Sequence, residues 1–211
     1  MNRKSIQTTA GTALAESKTG GNPEGKGLNG FLLDVHRSAP RGVVAKPRRQ
    51  VLAELFTSML VLSSHFKFRP AVGVRNYLYW IDGEWSLSLI APDEWSPERQ
   101  AGFVATCILQ RDMTWTVDPS AQLGEPGSDI ANAVGQFFDG FAAMLDTDLT
   151  LEEVLPYHVR ELPYYQRLHA YALSRSVTAA MTLGDQLETP CRDWQRQLPE
   201  QRQQLLASAG Y

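Results

Sequence analysis

Hydrophobic positions change their spacing along the chain, and each change marks an element. From Pro47 to His65, Val51, Leu52, Leu55, Phe56, Met59, Leu60 and Leu62 recur about every 3.6 residues, which predicts an amphipathic helix. Pro47 suits its first turn, where a missing N–H costs nothing, and Arg69-Pro70 with Gly73 is expected to end it. From Asn76 to Trp95 the pattern alternates instead. Asp82-Gly83 sits between two runs of aromatic and β-branched residues, and Asp-Gly favours a two-residue type I′ turn. That turn sets Ile81 opposite Glu84, Trp80 opposite Trp85 and Leu78 opposite Leu87. Leu78, Trp80, Trp85, Leu87 and Leu89 then share a core-facing side. Tyr77, Tyr79, Ile81, Glu84, Ser86 and Ser88 share the other side, which is expected to be wet.

A lone hairpin is marginal in water, so a third strand is required, and Phe103–Gln110 supplies it. Met113, Trp115 and Val117 alternate with polar neighbours, as a bent continuation of that strand or a fourth one. After the connector Gly124–Gly127 the helical period returns. Ser128 is an N-cap for the stripe Ile130, Val134, Phe137, Phe138, Phe141 and Leu145. Thr150 and Glu153 match a capping box. Pro163 opens a further helix carrying Tyr165, Leu168, Ala172 and Ala179 on one side, with Gly184 as its C-cap. Pro190–Ala209 is a last helical stretch, kinked near Pro199. The expected fold class is α+β: an N-terminal helix, a small antiparallel meander and a helical C-terminal half packed on it. Residues 1–30, polar and glycine-punctuated, read as a disordered tail, with Phe31-Leu32-Leu33 an apolar island that docks. Residues 31–123 hold the helix and meander, and 124–211 the helical half sharing their core.

Tyr77-Leu78-Tyr79, Ser88 to Trp95 (SLIAPDEW), Phe103-Val104 and Asp112-Met113-Thr114-Trp115 carry a further signal. Together they resemble a small uncharacterised family, a domain of unknown function found in bacteria and eukaryotes. Its members carry a pattern near Y-x-L-Y, S-x-I-S-P-x-E-W and D-x-S-W after an N-terminal helix. The likeness covers about residues 46–118, with Ala91 where the pattern has Ser. It implies the architecture and brings no activity with it.

Composition adds little until charge is mapped. Of 211 residues, 43% are hydrophobic and 20% charged, and the net charge of −3 argues for neither nucleic acid nor membrane as a bulk partner. Two cysteines, Cys107 and Cys191, are too few for a disulfide framework or zinc site and suit a reducing cytoplasm. Local charge is far from neutral. Between residues 31 and 75 eight Lys/Arg face two acids, Asp34 and Glu54; between 82 and 161 three face fifteen. Arg37, Arg41, Lys46, Arg48 and Arg49 form a basic loop, read as a partner-binding face that either lies on the molecule's own acidic half or meets an acidic protein, ahead of nucleic acid. Tyr77 and Tyr79 beside it suit stacking on single-stranded nucleic acid. Asp93, Glu94 and Trp95, held between Pro92 and Pro97, form either a recognition loop or a tight turn whose indole packs on the sheet.

Catalytic signals are weak. No Gly-x-Ser-x-Gly or phosphate loop occurs in a folded context, and nothing calls for a cofactor. His158, Glu161 and His169 are the best metal-ligand candidates, but Pro163 interrupts them and no four-ligand spacing appears. The expected function is therefore a non-enzymatic interaction or regulatory protein, with a single-stranded nucleic-acid adaptor and a metal-dependent enzyme as alternatives.

Overall fold

The computed structural model describes residues 28–125, 127–157 and 162–199. Among these described residues, seven helices and four strands make an α+β fold. The helices are α1 (Leu28–Arg37), α2 (Arg48–Leu62), α3 (Pro97–Gln100), α4 (Asp129–Met144), α5 (Leu151–Val154), α6 (Tyr164–Leu183) and α7 (Cys191–Gln195). The strands are β1 (Arg75–Ile81), β2 (Glu84–Ser88), β3 (Phe103–Leu109) and β4 (Trp115–Pro119), antiparallel in the order β2-β1-β3-β4.

The β1–β2 hairpin has the register its turn dictates: Leu78 opposite Leu87, Trp80 opposite Trp85 and Ile81 opposite Glu84. Asp82 and Gly83 both take positive φ, 54° and 80°, as a type I′ turn needs. The two indoles pack at a tilt of 53° with centroids 4.6 Å apart. Leu78 and Leu87 are buried, and Leu89, expected beside them, is 56% exposed because β2 ends at Ser88. The second expectation about faces also needs correction. Tyr79 is 1% exposed, its hydroxyl donating to the Ile90 carbonyl at 2.9 Å while its ring meets Trp95 and Phe103. The chain leaving β2 folds back over one end of the face predicted to be wet. Tyr77, Ser86 and Ser88 remain half-buried.

Helix α2 lies against β4, α4 and α6 and is the centre of the molecule. It is not one-sided as its spacing suggests: Ala53, Glu54, Thr57 and Ser58 are buried along with Val51, Leu52, Leu55, Phe56, Leu60, Val61 and Leu62. Phe56 meets Phe137, Phe138 and Phe141 of α4 with centroids 5.3–6.0 Å apart. The helix stops at Leu62, earlier than Arg69-Pro70 implies. There Ser63 and Ser64 turn their hydroxyls back onto the Leu60 and Val61 carbonyls at 2.7 and 2.6 Å. One continuous core runs from Val51 through the sheet to Trp194.

Each edge of the sheet is met at one place. The segment after α2 lies beside β2: the His65 N–H donates to Trp85 O at 2.8 Å, and the Leu87 N–H to His65 O at 3.0 Å. At β4 the cover comes from side chains. The Trp115 N–H donates to Ser58 Oγ at 2.9 Å, and Thr57 Oγ1 donates to Trp115 O at 2.7 Å. Two consecutive hydroxyls of a helix thus stand in for a neighbouring strand, which is how a buried edge avoids orphaned backbone groups.

Several ends follow their sequence signals. Ser128 Oγ caps α4 by accepting from the Ala131 N–H at 3.1 Å. Glu153 accepts from the Thr150 N–H at 2.8 Å. Past α6 the left-handed residue is Asp185 (φ 54°), whereas Gly184 keeps a negative φ. Helix α1 begins inside the stretch expected to lack structure, and residues 1–27 lie outside the described residues, as does the stretch after Pro199.

Thr57→Val keeps the shape of the side chain and removes the donor, leaving a buried carbonyl unpaired. It is expected to cost about 1–3 kcal/mol in urea denaturation, with Thr57→Ser losing much less. An unchanged midpoint for Thr57→Val contradicts the assigned edge bond.

Candidate functional site

A cleft of about 620 Å3 opens where residues 41–46, the start of α2, residues 72–73 and the β3–β4 turn meet. Its floor is a charge triad. Lys46 Nζ donates to Glu54 Oε2 at 2.5 Å and to Asp112 Oδ2 at 2.6 Å, and the Lys46 side chain is 8% exposed. The remaining carboxylate oxygens are also engaged. Glu54 Oε1 accepts from Gln50 Nε2 at 2.9 Å, and Asp112 Oδ1 accepts from the Thr114 hydroxyl at 2.7 Å and its N–H at 3.2 Å. Gln186 Nε2 holds the Lys46 carbonyl at 3.1 Å, tying the floor to the end of α6.

The sequence builds this floor from three places. Pro47 starts α2, so Lys46 is delivered at its mouth, and Glu54 lies two turns further along it. Asp112 comes from a tight turn in which Met113 takes φ 68°. A methionine resists that conformation. It is held there by its own burial and by the bonds that fix Asp112 and Thr114 on either side.

The three charges polarise one another. Burial by itself depresses the Lys46 ammonium, but hydrogen bonds from it to Asp112 and Glu54 outweigh this and hold its pKa above the usual value. Burial works to raise Asp112, yet its bonds to Lys46 and Thr114 place it below the usual carboxylate range. Glu54 goes the other way: burial lifts it, and Lys46 and Gln50 only partly compensate. The ion pair proper is Lys46–Asp112, and Glu54 is the member whose charge is least favoured. A lysine held protonated has no lone pair to attack or to take a proton. An aspartate held low is a poor base, and both Glu54 oxygens are occupied. The arrangement therefore binds more readily than it reacts.

Above the floor stand two cations. Arg41 and Arg111 are exposed, line the cleft and are joined by a backbone bond, Arg41 N–H to Arg111 O at 2.9 Å. Neither has an ion-pair partner among the described residues. Val44 and Val72, 58% and 46% exposed, add apolar wall.

The residues singled out from sequence scatter around this cleft. Of the basic loop, Arg37, Arg41 and Arg49 are exposed. Lys46 is not on the surface. It is paired with Glu54 and Asp112, one of them 66 residues away. Arg48 lies over the Trp194 ring at 5.7 Å and bonds Thr189 Oγ1 at 3.2 Å. Tyr77 is half-buried against Phe103, and Tyr79 is buried, so the pair offers no open stacking platform. Asp93 and Glu94 are exposed on a 3-10 turn, while Trp95 packs on Tyr79 with the Arg99 guanidinium 4.5 Å above it. Sequence reasoning missed Glu54, Asp112, Arg111 and Thr114. The bend at Arg111-Asp112 and the Asp112-Met113-Thr114-Trp115 segment pointed there, without a role for either.

His158 and Glu161 lie outside the described residues. His169 is 2% exposed within α6, with no hydrogen-bond partner for either ring nitrogen among the described residues. Burial first, and the nearby Arg69 charge second, push its pKa down to about 4. No group of three or more His, Cys, Asp or Glu is placed to hold a metal among the described residues. Burial raises both thiols, Cys191 to about 11, so neither is a thiolate near neutrality. No described helix is long and apolar enough to cross a membrane.

No family model, curated protein or solved structure matches the chain.

Lys46→Met is expected to destabilise the protein by about 3–5 kcal/mol in urea, because it leaves two buried carboxylates unpaired. Adding Glu54→Gln should recover part of the loss, and a strictly additive pair of losses contradicts the triad. His169 gives a pH signature. The unfolded imidazole binds a proton below its ordinary 6.5, and the folded one only near 4, so stability is complete above 6.5 and falls as pH drops between these values. The total is about 3 kcal/mol at 1.36 kcal/mol per unit. His169→Gln should flatten the dependence of unfolding free energy on pH across that window.

Proposed function

We propose that the protein is a non-enzymatic interaction protein and that an acidic segment of its partner seats in this cleft. The observation that carries the reading is the pair Arg41 and Arg111, exposed and without an ion-pair partner among the described residues, above a floor whose ammonium and two carboxylates are bonded to one another. Unpaired cations beside exposed Val44 and Val72 favour a ligand with both negative charge and aliphatic surface. The engaged carboxylates and protonated lysine beneath favour holding a ligand over transforming it. The contacts of His65 on β2 and of Thr57 and Ser58 on β4 obstruct strand addition at those points and favour this cleft for an extended partner. The burial of Tyr79 counts against single-stranded nucleic acid.

The test is charge reversal at the rim. Arg41→Glu with Arg111→Glu should change stability by no more than about 0.5 kcal/mol, since both side chains are exposed. Binding to a partner captured from extract, identified by mass spectrometry and purified, should fall at least tenfold and weaken steeply with salt. A double variant that binds the purified partner as the wild type does ends the proposal. Loss of capture on nuclease treatment reassigns the surface to nucleic acid.

A further inference from the structure

The floor of the cleft has one unspent donor. An ammonium carries three N–H groups, and the two bonds of Lys46, to Glu54 and Asp112, use two of them. Its side chain is more than nine-tenths buried and lines the cleft, and no third acceptor meets Nζ among the described residues, which leaves the third N–H available to a group in the cleft. Charge decides what fits. Lys46, Arg41 and Arg111 are three cations against the carboxylates of Glu54 and Asp112, which leaves one positive charge in the lining. A single carboxylate cancels it. A phosphate dianion overshoots and sits beside two carboxylates already present.

We infer that the cleft is a receptor for one carboxylate on an aliphatic body: the carboxylate accepts from Lys46 Nζ and the two guanidinium groups, and the body lies along Val44 and Val72. This rests on the acidic-partner reading and sharpens it, since a single Asp or Glu side chain or a chain terminus then supplies the recognised group.

The experiment follows backbone amide resonances of Gly42, Gly73 and Thr114 in the full-length protein. It titrates N-acetyl-leucine, N-acetyl-leucinamide and inorganic phosphate in turn. N-acetyl-leucine is expected to shift these resonances saturably and at least tenfold more tightly than the amide or phosphate. Arg111→Gln, at an exposed position, should weaken it several-fold while the fold persists. An amide that binds equally well, phosphate that binds more tightly, or no response to N-acetyl-leucine at tens of millimolar overturns the assignment. The two proposals fail separately. If rim reversal abolishes binding of the purified partner and N-acetyl-leucine neither binds nor competes, the carboxylate receptor falls and the acidic-partner reading stands. If N-acetyl-leucine binds and the partner ignores the rim, the receptor stands as a small-molecule site.

Discussion

A helix buried on every side must find partners for its own polar side chains, and the architecture of this protein follows from how α2 does so. Three buried polar residues lie within five positions of it: Glu54, Thr57 and Ser58. Each left unpaired would cost on the order of 1–3 kcal/mol, more for the carboxylate. Glu54 takes Lys46, which brings in the segment ahead of the helix. Thr57 and Ser58 take both backbone groups of Trp115, which fixes the start of β4 against the helix. The same carboxylate system then reaches Asp112, three residues before Trp115, so the turn and the strand are held by adjacent stretches of one helix. The cleft is a consequence. It is the space left where a chain drawn inward at Lys46 meets a turn drawn inward at Asp112.

The strain at Met113 belongs to the same system. A left-handed conformation at a non-glycine residue costs on the order of 1 kcal/mol or more and persists only where the surroundings over-determine it. Here Asp112 is bonded on both oxygens, Thr114 donates twice, and Met113 itself is buried. The turn is therefore stiff. Arg111, at its tip, projects from a fixed base into the cleft, which lowers the entropy a ligand must take from it.

How much of this was legible in the sequence depended on the range of the deciding contact. Asp82-Gly83 settles the hairpin register within two residues, and the observed pairing from Tyr77–Ser88 to Ile81–Glu84 follows. The same local reasoning located α2, the third strand and the Ser128 cap. It failed where a distant segment decides. Glu54, Thr57 and Ser58 have the spacing of a solvated face and are buried because residues 112–115 come to them. Lys46 belongs by sequence to an exposed basic loop, and its partner Asp112 is 66 positions away. Tyr79 alternates correctly onto the open face, then is covered when residues 90–95 fold back. Helical period records which residues are apolar. It does not record whether polar ones have been matched elsewhere.

The lopsided charge distribution can now be divided by destination. Asp34 and Glu54, the only acids among residues 31–75, are both buried against cations, Arg69 at 3.0 Å and Lys46 at 2.5 Å. Acids of the C-terminal half find cations of their own. Asp148 and Asp146 take Arg192 at 2.8 and 3.4 Å, and Asp193 takes Arg196 at 2.7 Å. Glu153 spends its carboxylate on the Thr150 backbone. Lys46–Asp112 is a buried ion pair joining the basic segment to the acidic stretch, and exposed His65 lies 3.8 Å from Glu84 across the same divide. Self-neutralisation thus accounts for the buried members and stops there. Arg37, Arg41 and Arg49 lie beyond it, together with Arg111, and two of the four share a cleft with an unspent ammonium donor and two exposed valines. Like charges held together by a rigid frame raise the local potential for an incoming anion, and here the frame is the buried half of the same charge system.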